Sequence, residues 1–233
     1  MDAKSVTRKL SAILSMDVQG YSRLMGDDEI ATVKTITEYR ETVASLVTEW
    51  KGRVVDSPGD NILAEFTSVV DAVQCAVEIQ HVLKAKNNDL PENRRMIFRI
   101  GVNLGDVIQE GNRIYGDGVN IAARIESLAD GGGISISGTA YDQIKNKLAL
   151  GYIYSGEHPV KNITEPIRVY RVPVHPEDVE NKKPKGKGWK KVVIPLAAVI
   201  VLVIAAAVWY FYPAAVKPGL EVASKKDPSQ TSD

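Results

Sequence analysis

Cysteine is almost missing: Cys75 is the only one among 233 residues. One thiol closes no disulfide within a chain and builds no cysteine zinc cluster, which suits a domain made for a reducing compartment. Cys75 itself falls beside Ala72, Ala76 and Ile79 on one helical face and reads as core packing. Histidine is scarce as well, and His81, His158 and His175 lie too far apart in sequence to suggest a ligand cluster. No Gly-x-x-x-x-Gly-Lys-Ser/Thr stretch occurs, so a P-loop hydrolase has no support, and Gly131-Gly132-Gly133 reads as a turn before a strand. No internal repeat is visible. Residues 1–30 hold no basic-then-apolar leader with a small-residue cleavage site, so no cleaved signal peptide is expected.

Net charge is missing too, with 29 basic against 29 acidic side chains. The balance hides an uneven distribution. Residues 1–180 hold 20 basic and 26 acidic groups, net −6, and residues 181–233 hold 9 and 3, net +6. An acidic main domain argues against a nucleic-acid partner. At 44% hydrophobic and 25% charged residues, one globular domain of about 170 residues can bury a core.

The basic end carries a long apolar run. Val192–Tyr212 is 21 residues without a charge, enough at about 1.5 Å per residue to cross a hydrocarbon layer of about 30 Å. Trp189 on one side and Trp209, Tyr210 and Tyr212 on the other sit where interfacial aromatics anchor a span. Lysines 182, 183, 185, 187, 190 and 191 precede it, so the positive-inside rule puts the large domain in the cytoplasm. The expected organisation is a domain over 1–174, a Lys-rich juxtamembrane linker over 175–191 that attracts anionic lipid, a transmembrane helix over 192–212, and a short extracytoplasmic tail over 213–233. A single-pass protein of the inner or plasma membrane follows.

Within the domain, Lys9–Met16 reads as a buried strand, and Ile30, Val33, Ile36, Val43, Leu46, Val47 and Trp50 recur at helical spacing. Arg53–Asp56 and Ile62–Phe66 flank Ser57-Pro58-Gly59-Asp60, where Pro58 and Gly59 suit the centre of a type II turn in a hairpin. Val69–Leu83 reads as a second helix, Met96–Val102 and Asp106–Gln109 as two strands, and Val119–Leu128 as a third helix. Ile134–Ser137, Tyr152–Ser155 and Ile167–Val172 complete the sheet. Helices that alternate with hairpins predict an α+β, mostly antiparallel, ferredoxin-like sheet rather than a doubly wound one.

Asp17 ends one strand and Asp60 sits in a hairpin turn. If those strands are neighbours, the two carboxylates converge and could hold a pair of Mg²⁺ ions. Asp is also at home as a helix cap and in turns, so the pair alone does not decide the matter. Asn120 and Arg124, four apart, share one helical face.

Three stretches carry more: Met16-Asp17-Val18-Gln19-Gly20-Tyr21-Ser22, Pro58-Gly59-Asp60-Asn61, and Ile114-Tyr115-Gly116-Asp117-Gly118-Val119-Asn120-Ile121-Ala122-Ala123-Arg124. In this order and spacing the chain resembles a class III nucleotide cyclase domain over roughly residues 8–172. The resemblance implies that Asp17, Asp60 and the backbone at Val18 bind two Mg²⁺ or Mn²⁺ ions and that the Gly20-Tyr21-Ser22 turn cradles phosphates. It further implies that Asn120 orients the ribose, Arg124 stabilises the transition state and Lys161 holds the triphosphate. It implies a homodimer with sites shared between protomers, which cyclises a nucleoside triphosphate, most often ATP to cyclic AMP. Two positions depart from the family. Asp56 stands where adenylate cyclases usually carry Lys and guanylate cyclases Glu, and Arg113 stands where Asp, Thr or Cys is usual. The pair could read guanine, or could form a salt bridge across the dimer. A nucleotide-binding regulatory or dimerisation module is the reading from another class.

Overall fold

The computed structural model describes residues 6–160, 163 and 165–174. The chain runs β1 (Val6–Val18), α1 (Tyr21–Asp27), α2 (Glu29–Glu49), β2 (Gly52–Asp56), β3 (Ile62–Phe66) and α3 (Val69–Asn88). After a single 3₁₀ turn follow β4 (Phe98–Glu110), β5 (Arg113–Tyr115), α4 (Asp117–Glu126), β6 (Ile134–Ser137), α5 (Gly138–Ile144), β7 (Ile153–His158) and β8 (Ile167–Val172).

These strands form one sheet in the order β2-β3-β1-β4-β6-β8-β7, with β5 pairing β4. All the ladders are antiparallel except β4–β6. The β2-β3-β1-β4 portion, with α2 and α3 as crossovers, is the split β-α-β unit expected from the sequence. Helix starts follow side-chain chemistry. Asp28 accepts from the Ala31 N–H at the head of α2, Ser68 from Asp71 before α3, and Ser137 from Ala140 before α5.

The main core lies between the sheet and helices α2, α3 and α5, centred on Leu14, Met16, Phe66, Phe98, Ile100 and Ile79. A smaller cluster of Ile13, Val107, Ile114 and Ala122 lies on the opposite face, under α4.

Several details differ from the sequence reading. The two strands expected over 96–102 and 106–109 are one strand, paired with β1 without interruption from Val18↔Phe98 to Val6↔Glu110. Between the two expected ranges the buried Asn103 amide donates to the Gly118 carbonyl at 2.9 Å and is satisfied inside the strand. The hairpin turn is centred one residue later than expected: the Asn61 N–H bonds the Pro58 carbonyl, so Gly59 (φ 59°) and Asp60 occupy the middle. Helix α2 buries Thr32, Ile36, Tyr39, Val43 and Val47, whereas Ile30 and Val33 are exposed because they fall off that stripe. Helices α1 and α5, of seven residues each, and the three-residue β5 are too short to display a period. No helix among the described residues is long and apolar enough to cross a membrane, and the expected linker, span and tail lie outside those residues.

Candidate active site

Strand alternation turns Met16 and Val18 into the core and Asp17 to the other face, near the end of β1. Asp60 reaches the same place from the β2–β3 turn, where its Oδ2 accepts the Val18 N–H at 3.2 Å. The two carboxylates therefore converge, as the hairpin geometry predicted. Arg99 stands opposite Asp17 in the ladder and grips it with both arms of its fork, Nε donating to Oδ1 at 2.9 Å and Nη2 to Oδ2.

A third carboxylate lies behind them. Glu126, on the last turn of α4, is 4% exposed and accepts the Ser15 hydroxyl at 2.6 Å and the Asn61 amide at 3.4 Å, both on Oε2. Burial pushes its pKa up to about 7; the Ser15 bond works against that shift and the Asp17 charge adds to it. Neither Arg99 nor Glu126 was among the residues read from the sequence. Both had a signal: a charged residue on the inner stripe of α4 beside Ala122 and Ile125, and an arginine inside the otherwise apolar stretch Met96–Val102.

Helix α4 has two faces. Gly118, Ala122, Ile125 and Glu126 are buried against the sheet, while Asn120 and Arg124 are exposed one turn apart. Among the described residues no hydrogen bond or ion pair joins Asn120 or Arg124 to Asp17 or Asp60. The structure thus brings the aspartates together and turns the Asn/Arg pair outward. The helix sits very close to the strands: a Cβ on Gly101 would lie 2.3 Å from the Glu126 nitrogen and 2.4 Å from the Ala122 carbonyl oxygen.

Gly20, at φ 74°, begins α1 directly after β1; Tyr21 packs partly against the core and Ser22 is exposed. The three residues follow Asp17 in the chain after Val18 and Gln19. Asp56 and Arg113 are exposed at the ends of β2 and β5, which touch one another in the same chain. The Tyr115 hydroxyl, and then the Tyr115 and Asp56 charges, hold the Arg113 pKa above its ordinary value. The Asp56 charge thus acts on Arg113 within one protomer. Lys161 lies outside the described residues.

The donor set suits a hard cation. Asp17, Asp60 and the Val18 carbonyl offer oxygen alone, and Mg²⁺ is commonly held by one or two carboxylates with substrate phosphates completing its shell. Among the described residues no group of three or more His, Cys, Asp or Glu side chains forms a protein-only cage.

A split β-α-β sheet whose central strand ends at two converging aspartates, beside a helix with an outward Asn/Arg pair, is the architecture of a nucleotide cyclase domain. The sequence model described as "Adenylate and Guanylate cyclase catalytic domain" matches residues 5–172, and the chain belongs to that family. A Rhizobium meliloti protein named "Putative adenylate cyclase 3" is 44% identical over 171 residues, which cover 73% of this chain and 29% of that protein. The crystal structure of an adenylate/guanylate cyclase/hydrolase from Silicibacter pomeroyi is similar at 36% identity and a TM-score of 0.68, over 72% of this chain and 98% of that one. The adenylyl cyclase CyaB of P. aeruginosa, at 22% identity and a TM-score of 0.64, shares the fold over 72% of this chain and 96% of its own.

Proposed function

We propose that the chain is a membrane-anchored purine nucleotide cyclase that converts ATP to 3′,5′-cyclic AMP and pyrophosphate at two equivalent sites of a homodimer. The convergence of Asp17 and Asp60 at the end of β1 carries the reading. With the Val18 carbonyl they would hold two Mg²⁺ or Mn²⁺ ions, whose chemistry is to favour the ionised ribose 3′ hydroxyl and to offset charge on the leaving pyrophosphate. Arg99 balances the Asp17 charge, and its fork also matches phosphate oxygens. The Gly20–Ser22 turn would receive the triphosphate, and Lys161, outside the described residues, would hold its tail.

Arg124 and Asn120 face away from the aspartates of their own chain, so they would serve the site of a second copy. There the Arg124 guanidinium would bond the equatorial oxygens of the α-phosphorus as the 3′ oxygen attacks, and Asn120 would hold the ribose. The face of the sheet that bears α4 supports the homodimer, since Val55, Leu63 and Val119 stay only partly buried there. A span over 192–212 would place the domain at the cytoplasmic face of an inner or plasma membrane and raise the local concentration of protomers.

GTP is the second reading, favoured by the closeness of Asp56 and Arg113 within one chain. A carboxylate can accept from guanine N1–H and the 2-amino group, while Arg donates to O6 or N7.

The test is mass spectrometry of the purified full chain in detergent with ATP and GTP in parallel, in Mg²⁺ and in Mn²⁺. Cyclic AMP or cyclic GMP that vanishes in both Asp17→Ala and Arg124→Ala, and returns when the two variants are mixed, supports shared sites. No product from a verified dimer points to a regulatory module instead.

A further inference from the structure

The two aspartates come from elements far apart in the chain, a strand end and a hairpin turn, and something must fix their separation. The main-chain contact between them is the 3.2 Å bond from the Val18 N–H to Asp60. Behind it lies one carboxylate oxygen with two partners. Glu126 Oε2 accepts the hydroxyl of Ser15, two residues before Asp17 on the same strand face, and the amide of Asn61, the residue after Asp60. That oxygen therefore bridges the two elements that carry the candidate metal aspartates. Its own position is set by the backbone of α4, which packs against Gly101 so closely that no Cβ fits between them.

We propose that Glu126 is a positioning residue that staples β1 to the β2–β3 turn through Ser15 and Asn61, and so fixes the spacing of Asp17 and Asp60 for a pair of divalent cations. The proposal rests on the metal reading of the two aspartates given above. It also gives α4 two tasks. Its outer face presents Asn120 and Arg124 to a partner, and its inner face braces the aspartates of its own chain. Groups that orient metal ligands from behind commonly change metal affinity about 10–100-fold when removed.

The test is a Mn²⁺ titration followed by electron paramagnetic resonance on the full chain in detergent, with a non-hydrolysable ATP analogue present. It compares wild type with Asp17→Ala, Glu126→Ala, Ser15→Ala and Asn61→Ala, each checked for native secondary structure by circular dichroism. Glu126→Ala removes the oxygen that accepts both bonds, and the Mn²⁺ midpoint is expected to rise at least tenfold. Ser15→Ala and Asn61→Ala keep the Glu126 charge and remove one arm of the staple each, and a rise of about threefold or more is expected from each. A rise with Glu126→Ala but none with either single arm would show that the two bonds are not what matters and overturn the staple. Loss of binding in Asp17→Ala with Glu126→Ala equal to wild type would overturn the staple and leave the metal reading intact. Equal binding in Asp17→Ala and wild type would remove the metal reading, and the staple with it.

Discussion

Replacing Gly101 by Ala tests the seating of α4 with one methyl group. The added Cβ would lie 2.3 Å from the Glu126 nitrogen, 2.4 Å from the Ala122 carbonyl oxygen and 2.7 Å from the Glu126 Cα. All three are backbone atoms, so no side-chain rotation relieves the overlap. Restoring ordinary contact near 3.4 Å requires the helix to lift by about 1 Å. Overpacking of this kind costs about 3 kcal/mol. For a domain of this size that corresponds to a fall in Tm of roughly 6–12 °C. The same lift moves Arg124, and a misplacement of about 1 Å in a positioning group can cost on the order of a hundredfold in rate. Differential scanning calorimetry and the cyclase assay on the same preparation read both effects. Gly26→Ala is the control, since nothing lies within 4 Å of its Cβ and its helical position gains from a side chain. Gly101→Ala melting with wild type would refute the close packing of α4 on β4.

Two buried carboxylates predict opposite responses to pH. Glu126 has a folded pKa of about 7, above its ordinary value of 4.5, so it favours the fold while protonated and that contribution is lost as pH rises between those values. Without divalent cations, Glu126→Gln is therefore expected to gain stability relative to wild type across that window, by on the order of 2 kcal/mol above pH 7; a difference flat with pH in urea melts would refute it. At Glu65, burial pulls the pKa upward, but bonds from Lys9, Ser11 and Arg53 outweigh it and leave the pKa below 4.5. Its contribution is present above that value and lost as pH falls, so Glu65→Gln is expected to cost about 3 kcal/mol at pH 7 and progressively less below pH 4.5 in the same melts. Burial, with the Glu49 and Glu78 charges, pushes the Cys75 thiol up to about 12, so a maleimide at pH 8 is expected to label it only after unfolding, as read by mass spectrometry.

Much of the site was legible because it sits where local rules are strong. Asp17 closes an apolar run and Asp60 lies in a Pro-Gly turn, so both positions announce themselves, and the helical spacing of Asn120 and Arg124 puts them on one face. What stayed hidden depends on pairing across the sheet. Arg99 acquires its role because it stands opposite Asp17 in a ladder 82 residues away in sequence, and Glu126 because its helix lands on the face that carries Ser15. The continuity of β4 through residues 103–105 was hidden for a related reason: the Gly118 carbonyl that satisfies the buried Asn103 amide belongs to α4.

Strand β1 shows how one short sequence serves both stability and the site. Its even positions Ala12, Leu14, Met16 and Val18 enter the main core, while Lys9, Ser11, Ile13, Ser15 and Asp17 lie on the opposite face. On that face Lys9 and Ser11 hold Glu65, Ser15 holds Glu126, and Asp17 meets Arg99. The strand has a side-chain period of two, so a slip of one residue would drive Asp17 into hydrocarbon and turn Met16 outward. The apolar half of the strand therefore fixes the register, and the register places the carboxylate. An apolar substitution that weakens Leu14 or Met16 without exposing them is expected to lower stability first and to disturb the site only when the pairing itself gives way.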